Sequence, residues 1–187
     1  MSIMQSGMIG IAATISTLKE KRILKRLSAT PLPIWKFLLA EVLAHLVSTI
    51  IQILLVLFIG LVMFGGNVYG SLPFLILVGF IGNFVFLNIG FIIAAISKTS
   101  QSAQSLASGM TTPMMFLSGV FFSREDLPDG VRKFAEILPL SPLIDSLRAI
   151  SLKGAGITDL KSELFLIMIW TLLTFAIASK VFKFREE

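Results

Sequence analysis

Among the acid–base pairs at helical spacing in this sequence, two stand at places where they could do chemistry. Glu41 and His45 are one turn apart, so a carboxylate and an imidazole could pass a proton between them or simply pair. His45 is the single histidine of the chain, and its place at the edge of a hydrophobic stretch reads as structural, paired with Glu41 or hydrated; a proton relay is the sharper alternative. Asp145 and Arg148, three residues apart, can pair along one face of a helix, and we expect a structural role for them. Other chemistries are excluded by residue type. The absence of cysteine removes disulfides, thiolate metal sites and thiol nucleophiles, and no cluster of histidine and carboxylate offers a metal its ligands. Ser108-Gly109 and Ser118-Gly119 lack the preceding glycine of a serine nucleophile motif. The sequence contains no G-x-x-x-x-G-K-[ST] phosphate cradle, so the usual site of ATP hydrolysis is not encoded in it.

The densest run of charge is Lys19 to Leu27. On a helical wheel Ile23, Leu24 and Leu27 share one arc, Lys19, Lys21, Arg22, Lys25 and Arg26 take the other, and Glu20 falls inside the apolar arc. A helix lying on a membrane gains nothing from a carboxylate there, whereas a helix seated in a protein groove can offer it to a donor. We therefore expect this segment to dock on a cytoplasmic partner; the plainer reading is a basic interfacial helix that binds anionic lipid headgroups.

The elements that must position these groups are hydrophobic. Of 187 residues, 55% are hydrophobic and 14% charged, with a mean hydropathy of +0.90. A soluble domain carries about 25% charged residues. Between Glu41 and Lys98 there is no Asp, Glu, Lys or Arg for 56 residues, and Thr99 to Ser123 adds 25 more. A helix crosses hydrocarbon with about 20 apolar residues, so the first run holds two spans and the second holds one. With Ser2 to Leu18 and Glu163 to Phe182, an all-α polytopic transmembrane bundle of about five spans is expected in a single domain over residues 1–187. Ala29-Thr30-Pro31-Leu32-Pro33 ends the cationic segment, Trp35 and Lys36 mark a membrane interface, and Gly65-Gly66-Asn67 with Gly70-Ser71 reads as a tight external turn. Ser123 to Lys161 is the one long polar excursion. Val131, Phe134, Ala135 and Leu138 recur there at helical spacing, ended by Pro139, and a second short helix is expected from a Ser141 cap and Pro142 to Lys153. Both are amphipathic enough to lie in, or dip into, the outer membrane boundary.

Lysine and arginine set the orientation. Lys19 to Lys36, Lys98 and Lys180 to Arg185 hold 10 of the 16 cations, so that side is expected to be cytoplasmic, with the C-terminus, and Ser123 to Lys161 external. The net charge of +5 thus reflects placement in a cell membrane, and no nucleic-acid partner is expected. The cationic cluster follows the first apolar stretch instead of preceding it, which is the wrong order for a signal peptide.

The run Leu18-Lys19-Glu20-Lys21-Arg22-Ile23-Leu24-Lys25-Arg26-Leu27-Ser28-Ala29-Thr30-Pro31 resembles the intracellular coupling-helix segment of type-two ABC transporter permeases. Leu117-Ser118-Gly119-Val120-Phe121-Phe122 with Leu127-Pro128 is similar to that family's passage from a span into the external region. Pro139-Leu140-Ser141-Pro142-Leu143 with Asp145 and Arg148 is similar to its Pro-Leu-x-Pro and Asp-x-x-Arg pattern. The resemblance covers nearly the whole chain. It departs at Leu18 and Arg22, where the family pattern has Glu and Gly, and the family's elbow helix and first span are not recognised ahead of Ser2. The resemblance implies the permease of an ATP-binding-cassette exporter, a homodimer or heterodimer seated in membrane lipid on two ATPase subunits. Each subunit would receive Lys19, Glu20, Lys21, Arg22, Ile23, Leu24, Lys25, Arg26 and Leu27 in a groove. ATP and Mg would be used by that partner, with no cofactor bound by this chain, and Asp145 and Arg148 could then serve gating or substrate exit. A stand-alone channel, a membrane assembly protein or an inactive truncated permease are the competing readings.

Two stripes complete the inventory. Gly79, Gly82, Asn83, Phe86, Gly90, Ala94 and Ser97 share a face of one expected span, and Ser102, Ser105, Gly109, Thr112 and Gly119 share a face of the next, which Pro113 can kink. Close helix packing is the plain account. The sharper one is that Asn83, Gly90, Ser105, Gly109 or Thr112 line a substrate path. Gln52, near the middle of its span, is expected to bond another helix.

Overall fold

The computed structural model describes residues 2–21, 23, 34–64, 69–120 and 128–183, and the regular structure among them is helical. In order these are α1 (Ser2–Met4), a π-helical segment (Gln5–Gly10), α2 (Ile11–Glu20), α3 (Ile34–Phe64), α4 (Leu72–Ile96), α5 (Ser100–Leu117), α6 (Asp129–Ile137), α7 (Leu140–Lys153) and α8 (Lys161–Lys183). The expected turn at Gly65-Gly66-Asn67, and Phe121, Phe122 and Leu127 of the family-like passage, lie outside the described residues.

Length and composition suit three helices to crossing a membrane: Leu39–Met63 within α3, Leu72–Ile96, and Lys161–Val181 within α8. They are not equivalent. Of the most apolar stretch of each, 61% is buried in α4 but 17% in α3 and in α8, so α4 is the central post and the other two flank it. Five spans were expected. The remaining two helices form and pack in the same bundle, but α5 contains two Gln and six Ser or Thr, so its composition alone does not mark it as lipid-facing.

The other helix of the bundle is a rod in which α1, the π segment and α2 run on without a break, since Met4, Gly10 and Ile11 all hold right-handed helical angles. Glycine explains how closely it seats on α4. A Cβ on Gly90 would stand 2.8 Å from the Met8 carbonyl oxygen and 2.9 Å from that of Gly7, and a Cβ on Gly7 would stand 2.7 Å from Asn83 Oδ1. The widened π turn thus lies where two backbones meet with no side chain between them. Met4, Met8, Ile11, Ala12 and Ile15 are buried along that seam. The rod stops at Lys21, whose φ of −76° and ψ of 4° leave the helix.

Between α5 and α8 the chain makes a hairpin of α6 and α7 that dips into the bundle. Leu143 packs on Gly82, ten residues into α4 and so about 15 Å below its start. Trp170 Nε1 donates to the Ile137 carbonyl at 2.8 Å, nine residues into α8 and about 13 Å down. The tip therefore lies about 13–15 Å along α4 and α8, about half the length that a 30 Å hydrocarbon layer demands of a span. Backbone at that depth is tolerated only where protein surrounds it, and Leu140, Ser141, Pro142 and Leu143 are all buried. Ser141 differs from its expected role. It sits inside α7, its Oγ donating 2.5 Å to the Ala135 carbonyl across the tip, and Pro139 holds the cap position. At the top, Gly154 adopts φ 65° and closes α7 by donating to Ile150, while Tyr69 N donates to Ser151 O at 3.1 Å.

Candidate functional site

The end of the bundle where α2 and α4 finish and α5 begins is organised by two adjacent charges. Lys19 Nζ donates to the carbonyl oxygens of Ala94 at 2.5 Å, Ala95 at 3.1 Å and Ser97 at 3.2 Å. Those are the last acceptors of α4, so the cation sits on the negative end of that helix's dipole. Glu20 Oε2 accepts from the Ser100 N–H at 3.0 Å, at the first residue of α5, where a helix presents its positive end. Ser100 Oγ also accepts from Thr17 Oγ1 at 2.9 Å and from Gln104 Nε2 at 3.2 Å. The carboxylate that looked displaced on the apolar arc has its donor within the chain. Lys21 is exposed and Ile23 half-buried; Arg22, Leu24, Lys25, Arg26 and Leu27 lie outside the described residues.

The two stripes separate. Asn83 and Gly90 are buried against the rod, and neither the amide nitrogen nor the amide oxygen of Asn83 has a hydrogen-bond partner. On α5 the opposite holds. Ser105, Gly109 and Thr112 are exposed, together with Gln101, Gln104 and Ser108, which sequence reasoning passed over. Nothing lies within 4 Å of where a Gly109 Cβ would stand. Ser102 belongs to a capping box with Thr99, each side chain bonding the other's backbone N–H. Thr111 faces inward instead, its Oγ1 4.0 Å from Met8 Sδ. Spacing could have found the missed residues, because Gln101, Gln104, Ser105, Ser108 and Thr112 recur every three or four positions.

The exposed faces of α3 and α8 are of another kind. Leu43, Val47, Ile51 and Phe58 stand out from α3, and Phe165, Met168, Leu172 and Phe175 from α8. Between α4 and α8 lies a groove of about 390 Å³ lined by Phe74, Leu77, Leu164 and Met168, a surface suited to acyl chains.

Glu41 and His45 meet on α3, with Oε1 and Nε2 3.6 Å apart, too long for a good hydrogen bond, and the imidazole rests on Gly10 of the rod. Gln52 accepts from Ser6 Oγ at 3.4 Å, the interhelical bond expected of it. Asp145 and Arg148 do not form the expected ion pair. Asp145 is half-buried and Arg148 exposed, whereas Arg132 and Glu136 on α6 do pair, at 3.2 Å. Asn88 instead makes the polar link between α4 and α8, donating 3.4 Å to Thr174 Oγ1.

The sequence that builds this bundle has counterparts among known proteins. The chain is 27% identical over 176 residues to ABC transporter G family member 20 of Dictyostelium discoideum, covering 93% of this chain and 24% of that protein. It is 23% identical over 176 residues to a probable multidrug ABC transporter permease of Escherichia coli (strain K12), covering 94% of this chain and 48% of that one. Nodulation protein J of Bradyrhizobium diazoefficiens shares 30% identity over 69 residues, 37% of this chain and 26% of its own length. The chain thus spans less than half the length of these relatives. No solved structure matches it significantly. The family model of the ABC-2 type transporter matches residues 1–152, and the chain belongs to that family of membrane proteins.

Proposed function

We propose that this chain is the membrane-spanning permease of an ATP-binding-cassette exporter, working as two copies on two separate ATPase subunits that bind and hydrolyse ATP with Mg. The exposed polar face of α5 carries this reading. Six hydroxyl, amide or glycine positions from Gln101 to Thr112 point away from their own bundle. In hydrocarbon such groups cost free energy unless they meet polar partners or water. A second copy brings an identical face, and a path between the two would be walled by hydroxyls and amides with glycine leaving room at Gly109. The basic segment after Lys19 supplies the handle on the cytoplasmic side, and closure of the ATPases on nucleotide would tilt the helices attached to it.

The test exploits the lack of cysteine in the sequence. Ser105→Cys and Thr112→Cys, made singly and oxidised in native membranes, should give covalent dimers, whereas Leu172→Cys on the lipid-facing side of α8 should not. Dimers through Leu172→Cys and none through the α5 positions would sink the proposal.

A further inference from the structure

We propose that Lys19 and Glu20 are positioning residues, a clamp that locks the end of the rod to the turn between α4 and α5 so that both move as one body. This rests on the reading of the following residues as the segment an ATPase subunit grips. Two neighbouring side chains of opposite sign are set on two helix ends of opposite polarity: the cation on the carbonyls of Ala94, Ala95 and Ser97, the anion on the amide of Ser100. Only Ser97, Lys98 and Thr99 separate those helices, so one clamp holds both. The rod supplies the rest from the same face. Ser100 Oγ contacts the Ala13 carbonyl at 3.4 Å and the Thr17 hydroxyl at 2.9 Å, and Ala13, Thr17 and Glu20 recur at three- and four-residue spacing.

The geometry has a mechanical consequence. The rod leaves helical conformation at Lys21, immediately beyond the clamp, so any force applied to the residues that follow reaches α2 at its clamped end. With Lys19 and Glu20 engaged, α2 cannot slide along α4 or α5 without breaking charge-assisted hydrogen bonds. Displacement is therefore handed to the first turn of α5, the helix whose exposed polar face begins at Gln101. Lys19 and Glu20 thus act through the chain's own helices, and the surface left for the ATPase begins at Lys21.

Hydrogen–deuterium exchange of the full chain in detergent reads the clamp directly, in the peptide spanning residues 97–104. Lys19→Met should speed exchange there by about tenfold, and Glu20→Ala, whose carboxylate is exposed, by about three- to fivefold. Lys19→Arg, which keeps the cation, should restore protection. The double exchange Lys19→Glu with Glu20→Lys should be as fast as the single variants, because the helix dipoles it faces have not reversed; a simple ion pair between the two side chains would be rescued. Exchange over residues 161–170, at the opposite end of the bundle, should not change. Protection within twofold of the parent in both single variants, rescue by the double exchange, or an equal rise at residues 161–170 would each overturn the clamp. The docking reading is tested apart from it, by ATPase co-purification with Lys25→Glu, Arg26→Glu. Unchanged association there removes the grip whatever the exchange shows, and unchanged exchange removes the clamp whatever the association shows.

Discussion

Replacing Gly90 by alanine adds one methyl group at the narrowest point of the fold. The new Cβ would lie 2.8 Å and 2.9 Å from the carbonyl oxygens of Met8 and Gly7, and 3.1 Å from Ile11 Cβ. Those oxygens are backbone atoms of a continuous rod and cannot rotate away, so the rod and α4 must part by about 0.5 Å to restore an ordinary contact near 3.4 Å, loosening the close packing around Met8, Phe86 and Ile11. Overpacking of this kind costs about 1–3 kcal/mol, and alanine returns up to about 1 kcal/mol as the better helix former. The net is a destabilisation of about 1–2 kcal/mol. For a chain of this length that lowers the thermal midpoint by about 2–8 °C. Gly60 is the control, since nothing lies within 4 Å of its missing Cβ. Gly60→Ala should gain about 1 kcal/mol, a rise of about 2–4 °C. Both variants would be melted in one detergent at one scan rate. A rise for Gly90→Ala equal to that for Gly60→Ala would show that the rod is not seated on α4 as described.

Two further substitutions probe the interior. Asn83→Leu removes a buried amide that makes no hydrogen bond and keeps its branching while adding bulk; the desolvation relieved, about 1–3 kcal/mol, offsets an overpacking cost of similar size, so the midpoint should hold within about 2 kcal/mol; a larger fall would mean that the amide has a partner. Trp170→Phe leaves the Ile137 carbonyl without its donor halfway into the bundle, which should cost about 1–2 kcal/mol and speed proteolysis within α6. An unchanged midpoint and digestion pattern would detach α6 from α8.

The helices fixed by solvent chemistry were legible in the sequence, and those fixed by neighbours were not. The uncharged run from Glu41 to Lys98 could only be threaded through lipid, and two helices take it up: α3, which starts ahead of it at Ile34, and α4, which ends at Ile96, one residue short of its end. The end of α7 at Lys153 was equally readable, because the left-handed residue that closes it, Gly154, is a glycine. The π segment left no mark. It answers to the backbone of α4, some 80 residues away, and to the glycines that let the two approach. The depth of the hairpin was hidden for a related reason: Leu140, Leu143 and Ile150 make the same stripe whether they lie on a membrane or beneath its surface, and only Gly82 and Trp170 decide between the two. Glu20 was recognised as misplaced for a surface helix, but its partner was sought in another protein when Ser100 supplies it.

Exposure carries opposite meanings on the two sides of this bundle. In water the outward Leu43, Val47, Phe165 and Leu172 would be the anomaly, whereas against acyl chains they are at home. In the same surroundings the anomaly passes to α5, where Gln101, Gln104, Ser105, Ser108 and Thr112 offer donors and acceptors that hydrocarbon cannot answer. Local bonding answers little of it: Thr112 Oγ1 donates back to the Ser108 carbonyl and Gln104 to Ser100, but no such bond covers the hydroxyls of Ser105 and Ser108. A stable home for this face therefore requires another polar surface or a column of water, and both arise together if two copies meet along α5. The same helix begins at the residue that Glu20 holds, so this exposed polar surface is tied directly to the start of the cationic segment.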